Sequence, residues 1–338
     1  MNKKRVLAML LAGAMALSMT ACGGNSASTD GSSNDGGASA SGGSYKVSVI
    51  LKTLAAEYWQ YVKSGAEDYA SEHSDKVTVE VKGPSSETAF DEMQNMIETD
   101  LSSGSYDGIV ISPLQSDTAA QLVSGTKLPI VAIDTNFTAP EVKSFVGTGN
   151  EAAAKKGGEA AVEAAKAAGW TDIKCIEIAG VQGDQTNTAR MNGYKAGVEE
   201  AGGTFLSDEV QYADATADRA TTAMEAIMQT HPEGIAIICA NNDDMAMAAA
   251  RAAQGHDAYK NTLFLGFNGD RAACEAILAG QMTMSVAQMA YEMGYKAVET
   301  MVQVLDGETV DEFVDSGSDV VTPDNAQERL DTLKTQLH

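Results

Sequence analysis

The chain has 338 residues, enough for about two domains, and its 44% apolar, 21% charged composition is that of a soluble globular protein. Its 47 acidic and 23 basic residues give a formal net charge of -24, a field that repels phosphate backbones and anionic lipid surfaces and argues against nucleic acid as a partner. Only the first twenty residues could enter a bilayer, since nothing later approaches the run of about 18 apolar residues that a membrane helix needs.

Lys3, Lys4 and Arg5 form a positive start, residues 6–17 are apolar or small, and Ser18-Met19-Thr20-Ala21-Cys22 follows. This is the pattern of a secretory signal over residues 1–21. The place of the cysteine resembles a lipobox, the bacterial lipoprotein signal, in which cleavage before Cys22 leaves its thiol to carry a diacylglycerol. Met19 departs from the usual leucine, and an ordinary cleaved signal with an incidental Cys22 is the alternative. Removing the signal takes the charge from -24 to -27, because it carries three basic residues and no acidic one.

Residues 23–44 hold seven Gly and seven Ser and no large apolar side chain, so they cannot bury enough surface to fold. With Cys22 they read as a tether whose root-mean-square reach is roughly 26 Å. The implied relation to the membrane is anchoring at the outer face of the cell membrane.

From Tyr45 onward, short β-branched runs alternate with longer amphipathic stretches, the signature of βαβ units around parallel sheets. Ten strands are predicted, at 45–51, 77–81, 108–111, 129–133 and 142–146, then 173–178, 204–211, 234–239, 262–266 and 282–286. Helical periodicity lies between them, as at 58–71, 90–102, 151–168 and 190–201, and a long amphipathic helix follows at 291–305. Two halves of five strands predict an α/β protein of two similar Rossmann-like, flavodoxin-like lobes. The tail to His338 is too short for a domain and must pack on what precedes it. Cys175, Cys239 and Cys274 show no C-x-x-C spacing, and whether two of them pair is not legible.

Ligands of open parallel sheets bind beyond the carboxyl ends of the strands. There the chain places Lys52, Asp134, Asn241 and Asn242, Asn268 and Gln288, each directly after an apolar run. Asp and Asn in such loops also cap the next helix. Together, however, an acceptor, a donor and several amides suit a neutral polyhydroxylated ligand. Arg190, one of five arginines after the signal, is read as starting a helix after the 180–187 loop, where its fixed donors could bridge vicinal hydroxyls and Asp134. Tyr58 and Trp59 open the first helix, either as core or as a stacking face for a sugar ring.

Gly147-Thr148-Gly149-Asn150-Glu151-Ala152 matches G-x-G-x-x-A, but Asp172 precedes the next strand, against a dinucleotide site. No Walker loop, G-x-S-x-G elbow, H-E-x-x-H or EF-hand loop occurs, and His73, His231, His256 and His338 are scattered. No cofactor and no metal are expected.

The segments Val49-Ile50-Leu51-Lys52-Thr53-Leu54 with Tyr58-Trp59 and Gly65-Ala66-Glu67, then Cys239-Ala240-Asn241-Asn242-Asp243-Asp244-Met245-Ala246-Met247, then Gly280-Gln281-Met282-Thr283 through Val286-Ala287-Gln288, are similar to the ribose/allose/galactose type of bacterial sugar-binding proteins, the substrate-binding lipoproteins of ABC transporters. The likeness runs through essentially all of residues 45–338. It implies a non-enzymatic, monomeric receptor that holds a neutral monosaccharide or cyclic polyol and delivers it to an ABC-transporter permease. It implies an N-terminal lobe of 45–148 plus 288–317, a C-terminal lobe of 149–287 plus 318–338, a three-segment hinge and a ligand in the cleft between the lobes. By the same resemblance Lys52, Trp59, Asp134, Arg190, Asn242, Asn268 and Gln288, with Tyr58 added, fall on ligand-contacting positions. Ala56-Glu57 replaces a common Asn-Pro, and Asn268 stands where aspartate is usual, so ribose and allose themselves are in question. A chemoreceptor or sensor is a further partner of such proteins. The alternatives are a sensory receptor for a small polyol signal such as autoinducer-2, and an exported α/β hydrolase using Asp134 with Glu57.

Overall fold

Runs of Val and Ile make the centre of the molecule because parallel strands covered by helices on both faces are buried at every position. In the computed structural model, which describes residues 44–337, the strands at Gly108–Ile111 and Ile130–Ile133 are buried throughout. The signal segment, Cys22 and the tether up to residue 43 lie outside the described residues.

In chain order the strands are β1 (Tyr45–Ile50), β2 (Val77–Lys82), β3 (Gly108–Ile111), β4 (Ile130–Ile133), β5 (Val142–Gly147), β6 (Lys174–Ala179), β7 (Thr204–Phe205), β8 (Gln211–Tyr212), β9 (Ile237–Ala240), β10 (Leu263–Asn268), β11 (Met284–Gln288), β12 (Phe313–Asp315) and β13 (Ser318–Val321). The helices are α1 (Glu57–Glu72), α2 (Phe90–Ser103), α3 (Ser116–Val123), α4 (Asn150–Ala167), α5 (Gln185–Glu200), α6 (Ala217–Thr230), α7 (Asp243–Ala253), α8 (Arg271–Leu278), α9 (Ala290–Leu305) and α10 (Ala326–Gln336).

Two sheets form. The first has the order β12-β5-β4-β3-β1-β2 and is parallel throughout; the second has β13-β11-β10-β9-β6-β7, with β8 also on β6 and only β13 antiparallel. Removing β12 and β13 leaves the flavodoxin-like order in each, so the fold is the expected pair of α/β lobes.

The chain passes between the lobes three times. It leaves the first sheet after β5, because α4 packs on α5 and β10. It returns after β11, because α9 packs on α1, β3 and β4. It crosses last between β12 and β13, where Thr148 and Ser316 hydroxyls of two crossings meet at 3.3 Å. The α1–α9 crossing is close: a Cβ at Gly65 or Gly294 would run into the carbonyl oxygens of Tyr291 and Val62 respectively. Glycine there lets the two backbones touch, fixing α9 on the first lobe.

Three expectations need correction. The predicted strand at 204–211 is broken, because Ser207–Glu209 forms a 3-10 turn between β7 and β8. Helix α5 begins at Gln185, capped by Asp184, whose side chain accepts the Asn187 amide at 2.8 Å. Arg190 therefore lies in its second turn and does not start it. The tail contributes two strands as well as packing, since β12 and β13 close one edge of each sheet.

Candidate functional site

The carboxyl ends of both sheets open on one cavity of about 290 Å³. That is near the lower end of the roughly 300–1,000 Å³ of small-molecule sites and leaves room for one small ring. Lys52, Tyr58, Trp59, Asp134, Arg190, Asn242, Asn268 and Gln288 all line it. The first four belong to the first lobe and the rest to strands and helices of the second sheet.

Lys52 follows β1 and is buried, and its Nζ meets Asp184 Oδ2 at 2.7 Å across the gap between lobes. Burial opposes the lysine's charge, but Asp184, Asp134 and Glu87 outweigh it and hold the ammonium above its ordinary range. Burial likewise works against the Asp184 carboxylate, yet Lys52, the Asn187 amide and Arg190 hold it below the usual value. A second link crosses the gap where the hydroxyls of Thr135 and Thr186 lie 2.8 Å apart.

Asp134 ends β4 in a left-handed conformation (φ 61°) and accepts the Tyr58 hydroxyl at 2.8 Å and the Thr135 hydroxyl at 2.9 Å. Burial and this neighbouring carboxylate push the Tyr58 phenol well up, so it stays a donor. Trp59 stands edge-on to Tyr58, with centroids 4.9 Å apart, and its indole N–H donates to Glu87 Oε1 at 2.9 Å. Both aromatics are buried and line the cavity, so the core and site readings hold together. Burial, with Asp134 and Asp184 nearby, raises the Glu87 carboxyl against the pull of Lys52 and the Trp59 N–H.

Arg190 does not pair with Asp134. Its Nε donates to Asn150 Oδ1 and its Nη1 to the Asn241 carbonyl, each at 2.8 Å, while the guanidinium lies 3.8 Å over the Phe267 ring. Asn242 turns out to be a helix cap: its Oδ1 accepts the Met245 amide at 2.9 Å and its Nδ2 donates to the Ala215 carbonyl at 3.2 Å. Gln288 donates through Nε2 to Asn268 Oδ1 at 3.0 Å. The loop bearing Asn268 is pinned from behind by Asp243, which accepts the Ser285 hydroxyl at 2.6 Å and the Asp270 amide at 3.0 Å. Burial pushes the Asp243 carboxyl up to about 6 despite these donors.

Sequence reasoning missed Glu87, Asp184, Thr186, Asp214, Asp244 and Asp270 in the lining. Asp184 carries a signal, a cap position ahead of a helix, but the periodicity predicts that helix only from 190. Glu57, needed for the hydrolytic alternative, is not in the lining; it accepts the Tyr61 hydroxyl at 2.8 Å and faces Arg271 at 3.4 Å. No group of acidic, His or Cys side chains is placed to hold a metal ion among the described residues. Cys175, Cys239 and Cys274 are free and buried, the first two with sulfurs 3.3 Å apart.

The family model described as periplasmic binding protein domain matches residues 47–309. The chain is 31% identical over 264 residues to the D-allose-binding periplasmic protein of Escherichia coli (strain K12), covering 75% of this chain and 82% of that protein. It is 27% identical over 267 residues to the ribose import binding protein RbsB of the same organism, covering 78% and 86%. Among solved structures, an ABC transporter solute binding protein from Mycobacterium smegmatis with bound glycerol superposes with a TM-score of 0.73 at 26% identity, over 85% of this chain and 96% of that one.

One buried group under the site makes a test. Glu177, on β6, is wholly buried, and neither carboxyl oxygen has a hydrogen-bond partner among the described residues. Burial pushes it up to about 8, with Arg190 pulling the other way. An acid raised in the folded state binds more protons folded than unfolded, so stability falls as pH climbs from about 4.5 to about 8. Glu177→Gln should match the native protein near pH 5 and gain a few kcal/mol by about pH 8, read from urea midpoints. A gain that does not vary with pH would contradict this.

Proposed function

The chain belongs to the periplasmic binding protein domain family, and on that premise we propose that it is the solute-binding lipoprotein of an ABC importer, taking a neutral monosaccharide or cyclic polyol and delivering it to a membrane permease. Proteins of this family are solute receptors that work outside the cytoplasmic membrane, and the chain is not an enzyme. The observation that carries the sugar reading is the convergence of Lys52, Asp134, Arg190, Asn268 and Gln288, from five separate elements of two sheets, on a cavity the size of one ring. The names of the allose- and ribose-binding relatives support it.

The ligand-contacting set is Lys52, Tyr58, Trp59, Asp134, Arg190, Asn242, Asn268 and Gln288, with Asn242 serving mainly to hold the wall in place. The lobes are 45–148 plus 288–317 and 149–287 plus 318–338, except that Gln288, the last residue of β11, stays with the second sheet. Each supplies half of the polar groups, so the full set of bonds forms only when the lobes meet, and binding energy favours the closed arrangement. A dissociation constant near micromolar would need about 8 kcal/mol, within reach of several charge-assisted bonds and one apolar ring face.

The full-length protein in detergent should be stabilised by at least one neutral aldose, ketose or inositol. A hundredfold excess over the dissociation constant adds about 2.7 kcal/mol, or several degrees in a thermal scan. Asp134→Ala and Arg190→Ala should each abolish the shift. Stabilisation only by peptides, metals or nucleotides would overturn the reading. Anchoring through Cys22 predicts labelled fatty acid on the native protein and none on Cys22→Ala; equal labelling of both would refute it.

A further inference from the structure

The cavity wall is short of positive charge. Glu87, Asp134, Asp184, Asp214, Asp244 and Asp270 line it, against Lys52 and Arg190 as the lining cations. Asp184 is neutralised by Lys52, and Asp214 by Arg219 at 2.5 Å. Asp134 already accepts two hydroxyls. Asp270 makes no ion pair among the described residues, and its side-chain donor is the Asn268 amide at 3.4 Å. Its neighbours in charge are Asp243, Glu57 and Asp244, and burial among them pushes its carboxyl well up. Arg329 feels the Asp270 charge, but its hydrogen bonds go to the carbonyls of Gly269 at 3.2 Å and Gln288 at 2.7 Å. Arg271 faces Glu57.

Two buried amides in the same lining point the same way. Gln288 is 1% exposed and Asn241 8%, and Gln288 Oε1 and Asn241 Oδ1 have no hydrogen-bond partner among the described residues. The amide orientation of Gln288 follows from its neighbours. Asn268 Nδ2 faces Asp270 Oδ2 at 3.4 Å, which turns Asn268 Oδ1 to receive Gln288 Nε2. The oxygen left on Gln288 can only accept. A buried acceptor without a donor costs free energy, as does a carboxylate crowded by others. A hydroxyl offers this corner one donor; an ammonium offers three and a compensating charge. Among the described residues the acidic side chains do not group to hold a bare metal ion.

We infer that the cavity takes, as a further ligand class, amine-bearing sugars or cyclic polyols, with the ammonium lodged against Asp270 and Gln288 Oε1 in place of one hydroxyl. This rests on the sugar reading above and extends it. The same charge balance turns away uronates and sugar phosphates, which bring a negative charge to an acidic wall.

Isothermal titration of the full-length protein at neutral pH would test it, with D-ribose, D-allose, D-galactose and myo-inositol beside monoamino, N-acetylamino and uronate counterparts substituted at different ring positions. At least one amine should bind tenfold or more tighter than its neutral parent. Its N-acetyl form should lose that advantage, and added salt should shrink it. In Asp270→Asn the ratio of amine to parent should fall below threefold. Asp244→Asn, a change at an exposed helix start, should lower the ratio more weakly and serves if the first variant does not fold. A neutral parent that binds while no amine improves on it would overturn this inference and leave the sugar reading standing. An amine advantage that survives both substitutions would also overturn it. Binding of none of these compounds, together with no stabilisation by any neutral aldose, ketose or inositol, would defeat the sugar reading itself.

Discussion

A lysine from one lobe and an aspartate from the other meet at 2.7 Å with side chains only 8% exposed, and much else in the molecule follows from that contact. Taking either charge out of water alone costs several kcal/mol, so neither can be buried without the other. Each is offered by a different sheet, Lys52 just beyond β1 and Asp184 at the cap of α5, so the pair exists only where the two lobes touch. The fold makes that touch a matter of geometry. Two flavodoxin-like sheets aim their carboxyl ends at one gap, and the chain crosses between them three times.

The cavity behind this pair is polar yet mostly satisfied from within. Asp134 is occupied by Tyr58 and Thr135, Arg190 by Asn150 and Asn241, and Asn242 by the start of α7. Such side chains are held in place by the protein's own bonds, which lowers the ordering cost of binding. What is left over among the described residues, the amide oxygens of Gln288 and Asn241, is what a ligand can answer. Specificity in this cavity therefore lies in a few unpaired atoms more than in the whole roll of lining residues.

The fold was legible where one physical signal dominated. Runs such as Ile130 to Ile133 are buried on both faces and read as strands without ambiguity. The signal failed where exposure removed it: β12 and β13 are short, half-exposed edges among acidic residues, and Ser207 to Glu209 breaks a run that looked continuous. The site followed the same division. Lys52, Asp134, Asn268 and Gln288 stand at strand ends and could be found by that rule alone. Glu87, five positions beyond β2, and Asp270, two beyond β10, reach the cavity through loop paths that no local pattern encodes. Arg190 was located but its partners were not, because Asn150 and the Asn241 carbonyl come from distant parts of the chain.

Closure of the two lobes on a ligand is the central claim, and the distance across the cleft reads it directly. Gln94 on α2 and Thr222 on α6 are exposed positions on opposite lobes, and the three described native cysteines are buried, so Gln94→Cys and Thr222→Cys can carry a pair of spin labels. Pulsed dipolar spectroscopy should show a distance distribution that shortens and narrows when a binding sugar or polyol is added, and should not change with a sugar that fails to stabilise the protein. A distribution that stays the same with a tightly bound ligand would contradict the account.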